Sequence, residues 1–211
     1  MATKHRRTSA SSTATPARKA ALELVRRSRE SHQFLSSFAP RVLESAQLES
    51  ADKAFARLLA QGALSLQVTL DALINEVLRT PCDIQDDVRD ALRISAYEII
   101  YLHKEDHAAV DQGVELVRSF APRATGVANY VLHRIVEAKE RFPEGDPETS
   151  LEAAARFYGF PDWLATAIKK DIGTRNAIAL MARSLEPAPV YFSANELSSS
   201  HDKIARLLEA S

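Results

Sequence analysis

Apolar residues recur every three or four positions along most of this 211-residue chain and almost never alternate with polar ones, a pattern that helices satisfy and strands do not. Ala, Leu, Arg and Glu dominate, and six glycines leave few points at which a helix would be weakened. The predicted class is all-α. A composition of 45% apolar and 26% charged residues excludes a disordered or fibrous chain, and the length suits one large domain, or one domain with an appendage.

The first helix is expected at Thr15-Pro16, where Thr suits the cap position and Pro the first turn. Ala21, Leu24, Val25 and Ser28 then form an apolar stripe, with Arg18, Lys19, Arg26 and Arg29 gathered within about 100° beside it. A short helix is predicted over 34–46. A long one follows over 50–79, capped by Ser50 and bent near Gly62 or Thr69–Asp71. Asp83 opens a core helix with Ile84, Val88, Ala91, Leu92, Ser95 and Ile99 on one face. Asp86, Asp87 and Asp90 occupy its other face, where carboxylates complement the helix dipole. Helices over 107–120 and 124–141 complete this set, and Phe142 to Asp146 reads as a linker.

Three shorter helices are predicted over 147–158, 161–171 and 174–184, with Trp163 anchoring one subdomain on the other. Val190 to Ser193 reads as a lone strand and 200–209 as a helix, the pattern that opens an α/β region.

The net charge of −1 conceals a segregation. Residues 1–29 carry eight Lys and Arg against Glu23 alone, a net of +7, while the remainder carries −8. A basic arm on an acidic body implies an anionic partner, with nucleic acid the foremost candidate and a solubilising tail the competing reading. Like charges crowded on one helical sector repel, and a phosphate backbone turns that repulsion into attraction. The candidate RNA-binding residues are therefore Arg18, Lys19, Arg26 and Arg29, with Lys4, Arg6 and Arg7 of the tail.

Motifs of the common phosphate, zinc and serine-nucleophile sites are absent. His103 and His107 are four apart, but a helix break at Lys104–Asp106 separates them as metal ligands. Cys82, the single cysteine, precludes an internal disulfide and sits beside acidic residues that disfavour a thiolate, so it reads as a packing residue. No catalytic or metal-binding residue is assigned. Phe34 and Tyr130 are candidates for stacking on an unpaired base. The first 15 residues are basic, Ser/Thr-rich and free of acid, which overlaps organellar transit peptides; they lack the apolar stretch of a secretory signal. No apolar run is long enough to span a membrane, and the expected location is cytoplasmic.

The order of segments adds a resemblance. Arg18, Ala21 and Leu24, then Asp52-Lys53-Ala54-Phe55 through Gly62, then Leu70-Asp71, resemble the opening elements of the NusB-like RNA-binding domain. Leu92-Arg93 with Tyr97-Glu98 and Tyr101, His107-Ala108-Ala109-Val110, Val114-Glu115-Leu116, and Asn129, Leu132 and Arg134 continue the series. Together these cover about residues 16–137. The tetrapeptide at His107 and the continuing tail resemble the version found at the N-terminus of ribosomal RNA cytosine methyltransferases of the RsmB (Sun) family. Pro161, Trp163 and Leu164 resemble that family's connecting region, and Asn195 and Leu197 the stretch leading to its catalytic part. Ser193 and Ser65 depart from it, each standing where the family carries Arg.

The resemblance implies a NusB-like helical bundle over 16–141 after a disordered basic tail over 1–15. A helical connecting subdomain is implied over 147–186, and the start of a truncated α/β region over 187–211. It implies that this chain positions ribosomal RNA for a catalytic domain it does not contain. S-adenosylmethionine is expected only in a full-length enzyme, and no cofactor in this chain. The dipeptide Pro81-Cys82 lies far upstream of that family's catalytic Pro-Cys and is read as coincidental. The chain is expected to be a truncated form or the accessory domain of a split enzyme. The alternatives are a NusB-type antitermination factor, binding leader RNA and a ribosomal protein, and a helical protein-interaction module.

Overall fold

The computed structural model describes residues 13–78, 80, 83–186, 195 and 200–209. Among them are eleven α-helices and no strand: α1 (Pro16–Ser31), α2 (Leu35–Ser45), α3 (Ser50–Ser65), α4 (Gln67–Val77), α5 (Asp86–Ile100), α6 (Asp106–Arg118), α7 (Thr125–Lys139), α8 (Leu151–Tyr158), α9 (Asp162–Ile172), α10 (Thr174–Ser184) and α11 (His201–Glu209). The fold is all-α. The expected strand at Val190–Ser193 lies outside the described residues, as do Cys82 and the tail cations Lys4, Arg6 and Arg7.

The organising element is α5. A helix on the surface of a domain keeps one face in water, but every residue of α5 from Asp90 to Ile100 is buried. Helices α1, α3, α4, α6 and α7 pack around it. Leu92, Ile94 and Ile99 are wholly enclosed, each removal from water contributing about 1.5–3 kcal/mol. The two-faced reading of this helix is thereby corrected: Asp90, placed by spacing on the face opposite the apolar stripe, has 0% exposure. Helix α5 also begins at Asp86 rather than Asp83, because Asp83 closes a turn onto the carbonyl of Thr80 at 3.1 Å.

The single helix expected over 50–79 is two. Leu66 (φ −104°, ψ 17°) is fully buried between α3 and α4, and the bend there turns Leu70, Leu73 and Ile74 onto α5 and α7. At Gly62, one turn earlier, a Cβ atom would lie 2.1 Å from the Tyr97 ring. The missing side chain makes room for that ring. Thr15 and Glu49, not Ser50, occupy the cap positions of α1 and α3, and neither side chain caps the backbone. The Thr15 hydroxyl accepts from Arg18 instead, at 2.9 Å.

Helices α8 to α10 form a smaller core of Leu151, Ala154, Ala155, Ala165, Ala177, Ile178 and Met181. This layer docks on the bundle through the end of α8. A helix terminus leaves its last carbonyls without intrahelical partners. Here Thr69 donates to the carbonyl of Arg156 at 2.5 Å, and Tyr101 donates to that of Phe157 at 2.7 Å. Gly159 closes α8 in the left-handed region (φ 80°) and lies directly against the bend, where a Cβ would stand 3.0 Å from the Ser65 carbonyl. Rings of Tyr101, Phe142 and Phe157 cluster alongside, and Arg156 bridges Glu76 and Glu144. Trp163 takes no such anchoring role. It is 72% exposed on α9, because the burial that joins the layers comes from the end of α8.

Candidate nucleic-acid interface

Helix α1 buries Ala17, Ala20, Ala21, Leu24 and Val25 against the bundle. At 100° per residue, Arg18, Arg26 and Arg29 lie along one flank of that stripe, and the flank faces α5. The two helices run in opposite directions, so Arg18 at the start of α1 meets the end of α5, and Arg26 and Arg29 meet its beginning. Arg18 donates from Nε and Nη2 to the two carboxylate oxygens of Glu98, at 2.8 and 2.5 Å. Arg26 donates to Asp87 at 3.0 Å. Arg29 reaches Asp90 at 2.9 Å and Asp87 at 2.7 Å, with Asp86 at 3.6 Å.

The ladder continues inward: Arg93 binds Asp90 and Asp71, each at 2.7 Å. No buried side-chain polar atom among the described residues lacks a hydrogen-bond partner. Paired and fully hydrogen-bonded charges are the form in which carboxylates such as Asp90 and Glu98 tolerate burial. The Arg29 guanidinium is held above its ordinary pKa: burial opposes the charge, but the hydrogen bond to Asp90 and the fields of Asp90, Asp86 and Asp87 outweigh it.

The expected sector of four mutually repelling free cations is therefore corrected. Three of the four are neutralised by carboxylates, and of these four Lys19 alone is exposed without an ion pair to a described residue. Two residues bearing on this surface escaped the spacing argument. Arg27 is exposed on the outward side of α1, its guanidinium 5.9 Å from the Phe38 ring. Lys104 stands 5.7 Å from the centroid of Phe55, whose ring Arg18 also approaches at 5.4 Å. The acidic start of α5 was visible in sequence, but its carboxylates complement α1 as well as their own helix dipole. Phe34 is 88% exposed and Tyr130 56% exposed, so both base-stacking candidates reach solvent. The described residues contain no group of three or more His, Cys, Asp or Glu placed to hold a metal, and no helix long and apolar enough to cross a membrane.

A seven-helix bundle in which five helices enclose α5, with a three-helix layer docked at one end, places this molecule among the helical bundles. Within that class the chain belongs to the NusB family, whose model matches residues 15–137. It is 33% identical over 143 residues to ribosomal RNA small subunit methyltransferase B of Thermus thermophilus, covering 68% of this chain and 32% of that protein. It is 30% identical over 165 residues to a putative methyltransferase of Mycobacterium tuberculosis, covering 75% and 36%. The probable ribosomal RNA small subunit methyltransferase B of Bacillus subtilis is 25% identical over 154 residues, covering 71% and 34%. The chain thus spans about a third of the length of the curated relatives it matches.

Proposed function

We propose that this chain is an RNA-binding domain that holds ribosomal RNA for the catalytic part of a methyltransferase. The observation that carries the reading is its relationship to enzymes named for ribosomal RNA, in alignments that run longer than the NusB segment alone. The docked α8–α10 layer agrees with it, since a bundle serving a second domain needs a firm connection. In this reading S-adenosylmethionine is held by the catalytic part, and no methyl-transfer step is assigned to this chain.

In this reading phosphate contacts come from Lys19 and Arg27 on the outward side of α1, joined by Lys4, Arg6 and Arg7 of the tail. Arg18, Arg26 and Arg29 serve first to hold α1 on α5. Arg26 and Arg29 retain some exposure at the edge of the same surface. The test is a filter-binding titration with small-subunit ribosomal RNA at several salt concentrations. Affinity should fall steeply with salt, and the slope should shrink by about one for each phosphate-contacting cation removed. Undetectable binding would overturn the reading, and so would binding unaffected by joint replacement of Lys4, Arg6, Arg7, Lys19 and Arg27 with Ala.

A further inference from the structure

A groove of about 660 Å³ opens where the end of α1, the start of α2 and one face of α3 meet. That volume lies in the range of small-molecule sites. Its lining includes Ser28 from α1, His32, Gln33 and Phe34 from the connecting turn, and Arg57 and Gln61 one turn apart on α3. No lining residue is acidic, although acids outnumber bases in the chain as a whole. Arg57 is exposed and, unlike the arginines of α1 that face α5, has no carboxylate within ion-pair distance among the described residues.

The turn that carries the aromatic residue is held in place. His32 adopts the left-handed conformation (φ 54°) and reverses the chain. Ser28 donates its hydroxyl to the Gln33 carbonyl at 3.0 Å, and Ser37 donates to that of Phe34 at 2.7 Å. The backbone on either side of Phe34 is thus fixed, while its ring is almost wholly in water. A large apolar side chain in that position costs solubility and contributes nothing to the core. The groove combines a free aromatic face, two primary amides, hydroxyls and one uncompensated guanidinium. An apolar peptide has little use for the amides, and an acidic peptide has none for the ring.

We propose that this groove takes one unpaired nucleotide of single-stranded RNA, its base stacked on Phe34 and its phosphate on Arg57. The amides of Gln33 and Gln61, each both donor and acceptor, face the hydrogen-bonding edge of the base. The proposal rests on the RNA-binding reading and narrows its target to an unpaired segment.

The test uses the full chain with a short single-stranded RNA copied from small-subunit ribosomal RNA, and with the same sequence held in a duplex. Phe34→Ala should weaken binding of the single strand roughly tenfold or more, as loss of a base–aromatic stack does, and leave both its salt slope and duplex binding unchanged. Arg57→Gln should weaken binding and lower the salt slope by about one. Both side chains are exposed, so both variants should fold, which circular dichroism checks. RNA carrying 4-thiouridine at the unpaired position should photo-cross-link within the turn around Phe34. If the native chain binds no RNA, the underlying reading fails and this proposal with it. If the native chain binds but both variants match it, or Phe34→Ala weakens single strand and duplex alike, the groove is not a base site and the RNA-binding reading stands.

Discussion

Glu98 and Arg18 meet across the α1–α5 interface with both carboxylate oxygens engaged by the guanidinium, and the glutamate side chain is 1% exposed. A planar fork on a carboxylate fixes direction as well as distance. The pair therefore sets the register of α1 along the central helix.

Arg18→Ala should strand the Glu98 charge in the interior and destabilise the chain by about 3–5 kcal/mol, a typical cost for breaking a buried pair. Urea unfolding measures this directly. The double variant Arg18→Ala with Glu98→Ala should lose less than the sum of the two single changes. A strictly additive cycle would show that the pair is not coupled.

Lys19 and Arg29 are ten residues apart on one helix and should fail in different ways. Lys19→Ala should leave the melting temperature unchanged while reducing RNA affinity and the salt slope. Arg29→Ala should lower the melting temperature, because the buried Asp90 would then keep Arg93 as its one remaining cation. Thermal melts beside the filter titration separate the two.

Gly62→Ala places a methyl group where the Tyr97 ring already lies. The ring is held in the core between helices, so relief requires α3 to move from α5. A loss of about 1–3 kcal/mol is expected, and near-ultraviolet circular dichroism should report the displaced tyrosine. The same substitution at Gly126, where a Cβ meets nothing within 4 Å, is the control and should be neutral or stabilising.

The joint between the layers should titrate at alkaline pH. Burial pushes the Tyr97 and Tyr101 phenols above their ordinary value of 10.0, and the Tyr97 charge adds to the effect at Tyr101. An acid with a raised folded-state pKa contributes stability that is fully present below the unfolded value and is lost as pH rises above it. Stability should therefore decline above about pH 10, and less so in Tyr101→Phe. At neutral pH, Tyr101→Phe and Thr69→Val should each leave one α8 carbonyl unsatisfied. Hydrogen exchange around residues 156–159 should quicken while the bundle stays protected.

Much of the fold was legible in the chain. The stripe through Ala21, Leu24 and Val25 identified the buried face of α1, and α10 runs over Thr174–Ser184 as its spacing predicted. Periodicity reads local geometry, and a helix obeys it wherever its neighbours stand. The break at Leu66 was misplaced because the bend depends on what α4 packs against, and no residue there forbids a helix. The Phe34 ring was visible as a candidate. Arg57 was not, because in sequence it is one cation among many.

By itself, then, the sequence determined the all-helical class, the NusB-like order of segments and the concentration of positive charge near the start. Those depend on residue type and on separations along the chain. Only the tertiary structure decided which charges are available to a partner. Arg18 and Glu98 are eighty residues apart, and a guanidinium that repels its neighbours on an isolated helix becomes a neutralised strut once α5 is laid beside it. Charge is a property of the residue, but free charge is a property of its surroundings. Among the described residues, Lys19 and Arg27 of α1 and Arg57 of α3 are cations turned away from the acidic helix.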